Sequence, residues 1–271
     1  MHDTGAVNRI RARLKKNWPL LVLVVMVLSY MILFSYLAIM KHEGLQSKGF
    51  DLGNFDQAIW NTAHGRPFEF TNWQGKENWF RIPSRLGMHV EPILLLIAPL
   101  YWLWDNVWVL FILQAVVVAL GGVGVWLLAQ WRYRKDAGRA LSTAAQWASL
   151  ALVAVFLLNP YLQSALLVDF HAVTLVAGLI PFAIYFMLRR RYGWFILLAL
   201  LIAMTKEEMP LLVALMGLYI FIFQGWRGTG RKGRKKAFWV GGGAFVLGVA
   251  WTATAFLVIM PYFNSVGASP Y

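Results

Sequence analysis

Cysteine is absent from the 271 residues, which excludes a disulfide framework and any thiolate metal site. Acidic residues are few, 12 against 25 Lys and Arg, for a formal net charge of +13. In a soluble chain that excess would point to nucleic acid. Here the basic residues fall in short clusters between apolar runs, the pattern by which positive charge marks the cytoplasmic side of a membrane, so a nucleic-acid partner is discounted. Also lacking are an internal repeat and any polar stretch long enough for a soluble domain or linker. What is present is hydrophobic. Apolar residues make up 59% of the chain and mean hydropathy is +0.58, with several runs near the roughly 20 residues a helix needs to cross a bilayer. The sequence predicts an all-α, polytopic integral membrane protein whose first partner is the lipid bilayer.

The charge clusters set the topology. Arg9, Arg11, Arg13, Lys15 and Lys16 precede the first run, Pro19 to Met40. That run is too long for a signal-peptide core and lacks a small-residue cleavage site, so it reads as an uncleaved span with a cytoplasmic N-terminus. Residues 41–91 then form the first external loop. Pro92 to Trp104, about 13 residues, is too short to cross alone and is expected to be a re-entrant or surface helix. Crossings follow at Val107 to Gln130, about 140–158, 173–188, Trp194 to Met204, Leu211 to Phe223 and about 238–260, for about seven transmembrane helices. This parity leaves every acidic residue except Asp3 and Asp136 on the external side. Residues 1–271 read as a single membrane-embedded domain. Its stop at Ser269-Pro270-Tyr271, soon after the last span, reads as a C-terminal truncation.

The polar residues that could carry chemistry sit at the external ends of spans. Asp51 and Asp56 lie in Gly49-Phe50-Asp51-Leu52-Gly53-Asn54-Phe55-Asp56-Gln57-Ala58-Ile59-Trp60, a loop turning into a helix. Asp51 or Asn54 could be a plain helix cap, and Asn54 with Gln57 has capping-box spacing. His89 and Glu91, before Pro92, are two apart in an extended stretch and project to one side, as a metal pair would. Headgroup contact explains them equally well. Asp169 and His171 flank Phe170 before an inward span, where Asp169 could be an N-cap. Charged groups at the hydrocarbon edge are costly, however, and mark sites. Lys206 and Glu207 lie in Thr205-Lys206-Glu207-Glu208-Met209-Pro210, between apolar runs too short to cross unless this turn sits below the outer surface. Lys206 could snorkel there or meet a phosphate.

In these motifs, and over nearly its whole length, the chain resembles the DUF2079 family and, through it, the membrane-embedded GT-C glycosyltransferases. The resemblance rests on the Gly49 to Trp60 loop, His89-Val90-Glu91-Pro92, Asp169-Phe170-His171 and Thr205-Lys206-Glu207. It implies a GT-C-like fold in the plasma membrane and transfer of a sugar from a polyprenyl-phosphate donor to an acceptor at the outer face. Asp51 would be the general base with Asp56 as support or alternate. Lys206, with Arg81 or Arg85, would neutralise the leaving phosphate. Glu207, Glu91, His89, Asp169 and His171 would bind substrate, or a divalent metal as possible cofactor. Glu207-Glu208 stands where the family resemblance would place Gly-Pro. A transporter or flippase of lipid-linked material and a non-catalytic membrane protein are the rival readings. Transporters tend to bury their charges near the midplane on broken helices, whereas these acids gather at one face.

Overall fold

The computed structural model describes residues 4–71, 84–137, 141–226 and 230–264, with side chains excepted at 4–17, 135–137 and 231–232. These residues fold as helices joined by short turns. Two long helices open the bundle: α1 (Thr4–Glu43) and, after the short α2 (Gly49–Ala63), α3 (Leu94–Ile97) and α4 (Leu100–Leu103), α5 (Trp108–Ala137). The expected single helix of Pro92 to Trp104 is thus two separate turns, interrupted at Pro99, which has no N–H to give to the ladder.

The run expected at 140–158 is α6 (Thr143–Leu157), which bends by 42° at Asn159-Pro160 and continues as α7 (Pro160–Val168). Residues 160–168 are therefore helix packed on α1 and α5. Then come α8 (Leu175–Leu188), α9 (Tyr192–Ala203), α10 (Met209–Tyr219) continued by a π-helical segment Ile220–Trp226, α11 (Arg231–Thr254), and α12 (Met260–Phe263). Four stretches are long and apolar enough to cross a membrane: Trp18–Glu43, Trp108–Arg134, Met209–Trp226 and Gly233–Phe263. The bent pair α6 and α7 makes a fifth if it is one broken span rather than a re-entrant loop, and Ala172–Leu188 and Tyr192–Ala203 are shorter.

The outward surface confirms the solvent. On α1, Leu23, Val27, Tyr30, Phe34 and Ala38 are buried at helical spacing, while Leu20, Leu21, Val24, Val25, Leu28, Ile32 and Leu33 are exposed. A helix apolar all round has no polar face to give to water and belongs in lipid. In lipid, helices gain by close approach of small residues. A Cβ on Gly178 of α8 would lie 1.9 Å from the Val117 carbonyl oxygen of α5, and one on Gly241 of α11 would lie 2.4 Å from the Phe221 nitrogen. These two crossings therefore demand glycine.

Side-chain contacts sort the helix ends into two groups. At one end Trp18 meets Trp147, Gln130 meets Ser149, and Tyr192 bonds Gln224, near Arg132, Arg134, Arg189, Arg190 and Arg191. At the other end Lys41 donates to the Leu167 and Val168 carbonyls, Trp108 Nε1 donates to Glu43, and Thr252 donates to the Glu207 carbonyl. The expected site residues that the structure describes are all at this second end.

Candidate functional site

Helix α2 organises the second end. Its N-cap is Lys48, with no side-chain cap, so neither Asp51 nor Asn54 caps it. Asn54 is buried within the helix, and Gln57, instead of closing a capping box, receives Thr71 N–H on Oε1 and donates Nε2 to Thr71 Oγ1, each at 2.9 Å. Leu52, Phe55, Ala58 and Ile59 are buried in the core beneath. The loop after α2 folds back because Asn61 holds it, donating to the Glu69 carbonyl and accepting from Arg66, which lets Phe68 and Phe70 enter that core.

The opposite face of α2 lines a cavity of about 720 Å³, with Gly49, Phe50, Gly53, Asn54, Asp56, Gln57, Trp60 and Thr71 around it. Gly49, Gly53, Asp56 and Trp60 recur at helical spacing and form one stripe. Among the described residues Asp51 is not in this lining. Five residues on an α-helix turn the chain by roughly 140° past a full turn, so Asp51 and Asp56 point to different sides.

Asp56 is the carboxylate at the cavity. Tyr101 donates to its Oδ1 at 2.5 Å. Burial pushes the Asp56 carboxyl above its ordinary value. The Tyr101 bond and His42 pull it back, and nearby Asp105 pushes the same way as burial. Tyr101, carried on α4, was not among the residues singled out in the sequence; its signal is only a tyrosine in an otherwise apolar short helix.

The remaining expected residues pair among themselves. Glu91 accepts from Arg85 Nε at 2.5 Å with both side chains buried, and the Arg85 guanidinium stands 3.6 Å from the centre of the Phe55 ring. Phe55 also packs edge-on against Phe170 and His171, so α2, the 85–91 segment and the start of α8 meet at one aromatic ring. Glu207 takes His89 Nδ1 on Oε1 and Val90 N–H on Oε2, each at 3.0 Å. Burial alone would raise the Glu207 carboxyl, but the His89 bond and charge and the backbone donors outweigh it and leave it below its ordinary value. Ile93 N–H adds a bond to the Met204 carbonyl, so the 89–93 segment is sewn to the turn after α9.

Asp169 stands at the C-cap of α7, where an N-cap of the next span was an open reading, and its Oδ2 accepts from Lys48 N–H at 3.0 Å. It thereby anchors the start of α2, while its buried Oδ1 has no partner among the described residues. His171 N–H donates to Gln114 Oε1. Lys206 pairs with Glu208 at 2.8 Å, both partly exposed. Arg81 lies outside the described residues. Among the described residues no three of His, Asp and Glu come together as a metal-ligand set, so the divalent-metal reading gains no ligands there.

A second cavity, of about 810 Å³, is a groove among α9, α10 and α11. Its lining is almost wholly apolar and runs along α11 from Trp239 to Thr254, roughly 22 Å of helix. Pro92, Met204 and Pro210 close it at the end where the Lys206 turn lies.

No curated protein and no solved structure matches the chain. A family model does, over residues 41–270, which takes in the α2 cavity, the buried pairs and the groove; the chain belongs to the family described as "Predicted membrane protein (DUF2079)".

Proposed function

We propose that the protein is a membrane glycosyltransferase of GT-C type, moving a sugar from a polyprenyl-phosphate donor to an acceptor at the outer face of the plasma membrane. In this reading the N-terminus is cytoplasmic and the chain crosses seven times. The short α9 crosses because the turn 205–208 that follows it is recessed below the outer surface, in keeping with the burial of Thr205 and Glu207.

The observation that carries the reading is Asp56 at the α2 cavity, with its carboxyl raised toward the range where a base is useful. Asp56 rather than Asp51 takes the catalytic role, because Asp51 turns away from the cavity. The acceptor hydroxyl oxygen attacks the anomeric carbon of the donor, the carbon–oxygen bond to phosphate breaks with its electrons leaving on the phosphate, and the acceptor proton passes to Asp56 Oδ2. Tyr101 holds Oδ1 and fixes the carboxylate for that transfer. The apolar groove along α11 would take the prenyl chain, and Lys206, two residues beyond Met204, would meet the phosphate. Its half-exposed pair with Glu208 is the kind a phosphate can displace, because such pairs are weak.

The test is the protein reconstituted with polyprenyl-phosphate sugars. Asp56→Asn should lower transfer by about 10²- to 10⁴-fold while donor binding persists. Lys206→Ala should weaken donor binding by roughly 10- to 100-fold. Transfer should also rise with pH through a value above the ordinary carboxylate 3.8. Wild-type transfer in folded Asp56→Asn would remove the proposed base, and flux of an unmodified substrate without a glycosidic product would favour a transporter.

A further inference from the structure

We propose that the α2 cavity is a carbohydrate-binding site, so that the acceptor in the transfer above is a saccharide; the role as acceptor rests on that reading, the binding itself does not. A sugar ring presents C–H faces that pack on aromatic rings and a rim of hydroxyls, each needing both a donor and an acceptor. The cavity offers that pairing. Trp60 supplies the aromatic ring, and the side chains of Asn54, Gln57, Thr71 and Asp56 supply the rim. The recognition groups are already held. Gln57 is locked to Thr71 by three contacts, and the Trp60 ring is fixed by His64 stacked at 3.9 Å and by Nε1 reaching Asp105. Groups ordered before binding lose little entropy on binding.

Two glycines add an independent observation. A glycine inside a helix is less favourable than alanine, and at Gly178 and Gly241 close packing explains it. Around a Cβ placed on Gly49 or Gly53 there is nothing within 4 Å among the described residues. Packing therefore gives Gly53, in the interior of α2, no reason to be glycine. Open space for a ligand lying along the stripe Gly49, Gly53, Asp56 and Trp60 does. The described lining holds a carboxylate and neither Lys nor Arg, which suits a neutral ligand better than an anion. A phosphate or other anionic headgroup would meet repulsion from Asp56. The volume, about 720 Å³, lies in the usual range for a small-molecule site.

The test uses the full chain in lipid nanodiscs, free of sugar-headed detergent, and saturation-transfer NMR with glucose, galactose, mannose and N-acetylglucosamine, against glycerol phosphate. At least one neutral sugar should receive saturation and glycerol phosphate none. Trp60→Ala should weaken binding about tenfold. Gly53→Leu should abolish it while thermal unfolding stays the same or rises, since the side chain fills open space and improves helix propensity. Absence of saturation in every sugar, preference for glycerol phosphate, or wild-type binding by Gly53→Leu overturns the site. Transfer to a non-sugar acceptor with no sugar binding would sink the carbohydrate assignment and leave the transferase. Sugar binding without any turnover of prenyl donors would do the reverse.

Discussion

The buried pair of Arg85 and Glu91 gives a sharp test of what the second end of the bundle is for. The two side chains are 5% and 3% exposed, with Nε and Oε2 at 2.5 Å, and the guanidinium packs on Phe55. In Glu91→Gln the shape is kept but Arg85 is left as an uncompensated buried charge. Removing one partner of such a pair costs about 3–5 kcal/mol, or roughly 10²- to 10³·⁵-fold in the folded-to-unfolded ratio. The double substitution Arg85→Met with Glu91→Leu removes both charges and should recover most of that loss, because an ion pair taken out of water gains little over a well-packed apolar pair. Equilibrium unfolding in mixed micelles, run as a double-mutant cycle, reads both effects. A Glu91→Gln protein within about 1 kcal/mol of wild type, or a double variant no better than the single, would refute the reasoning. Glu91 would then be free to act on substrate, as the sequence first indicates.

The carboxyl of Glu207 sits below its ordinary value of 4.5, so its bonds to His89 and Val90 contribute stability that is present above that value and is lost as pH falls through the folded-state value. Wild type should therefore lose its stability advantage over Glu207→Gln on acidification in that window, and a difference independent of pH would show that the carboxylate is not held as described. Single cysteines at Ser47, Thr71, Ala137 and Gly230 in this cysteine-free chain should label with an impermeant reagent in intact cells only at the first two. Labelling of Ala137 from outside would reverse the assigned parity of Pro92 to Trp104.

Much of the architecture is written locally in the chain. Apolar run length and the basic clusters set the helices and the two ends, and the acids whose side chains are described lie at one end. The stripe on α2 was also readable: a helical projection of Gly49 to Trp60 separates Asp51 from Asp56 and groups Asp56 with Trp60. What the sequence could not carry is partner choice at long range. Asp169 meets Lys48 across 121 residues, and Glu207 meets His89 across 118. Charge at a membrane edge is costly, so a fold must pair the carboxylates it places there, and Glu91, Glu207 and Asp169 each accept from a donor held in the fold. Asp56 differs from them in the two respects that matter for chemistry. Its one described hydrogen bond comes from a neutral hydroxyl, with His42 acting on it only through space, and it borders open space. A buried carboxylate with a cation at hand, such as Glu91, is tied to that cation. One bonded to a tyrosine, as Asp56 is, is raised by burial and in the proposed reaction exchanges a proton with what enters the cavity. That difference in partners, rather than the cost of burying charge, separates the proposed site on α2 from the framework that holds it.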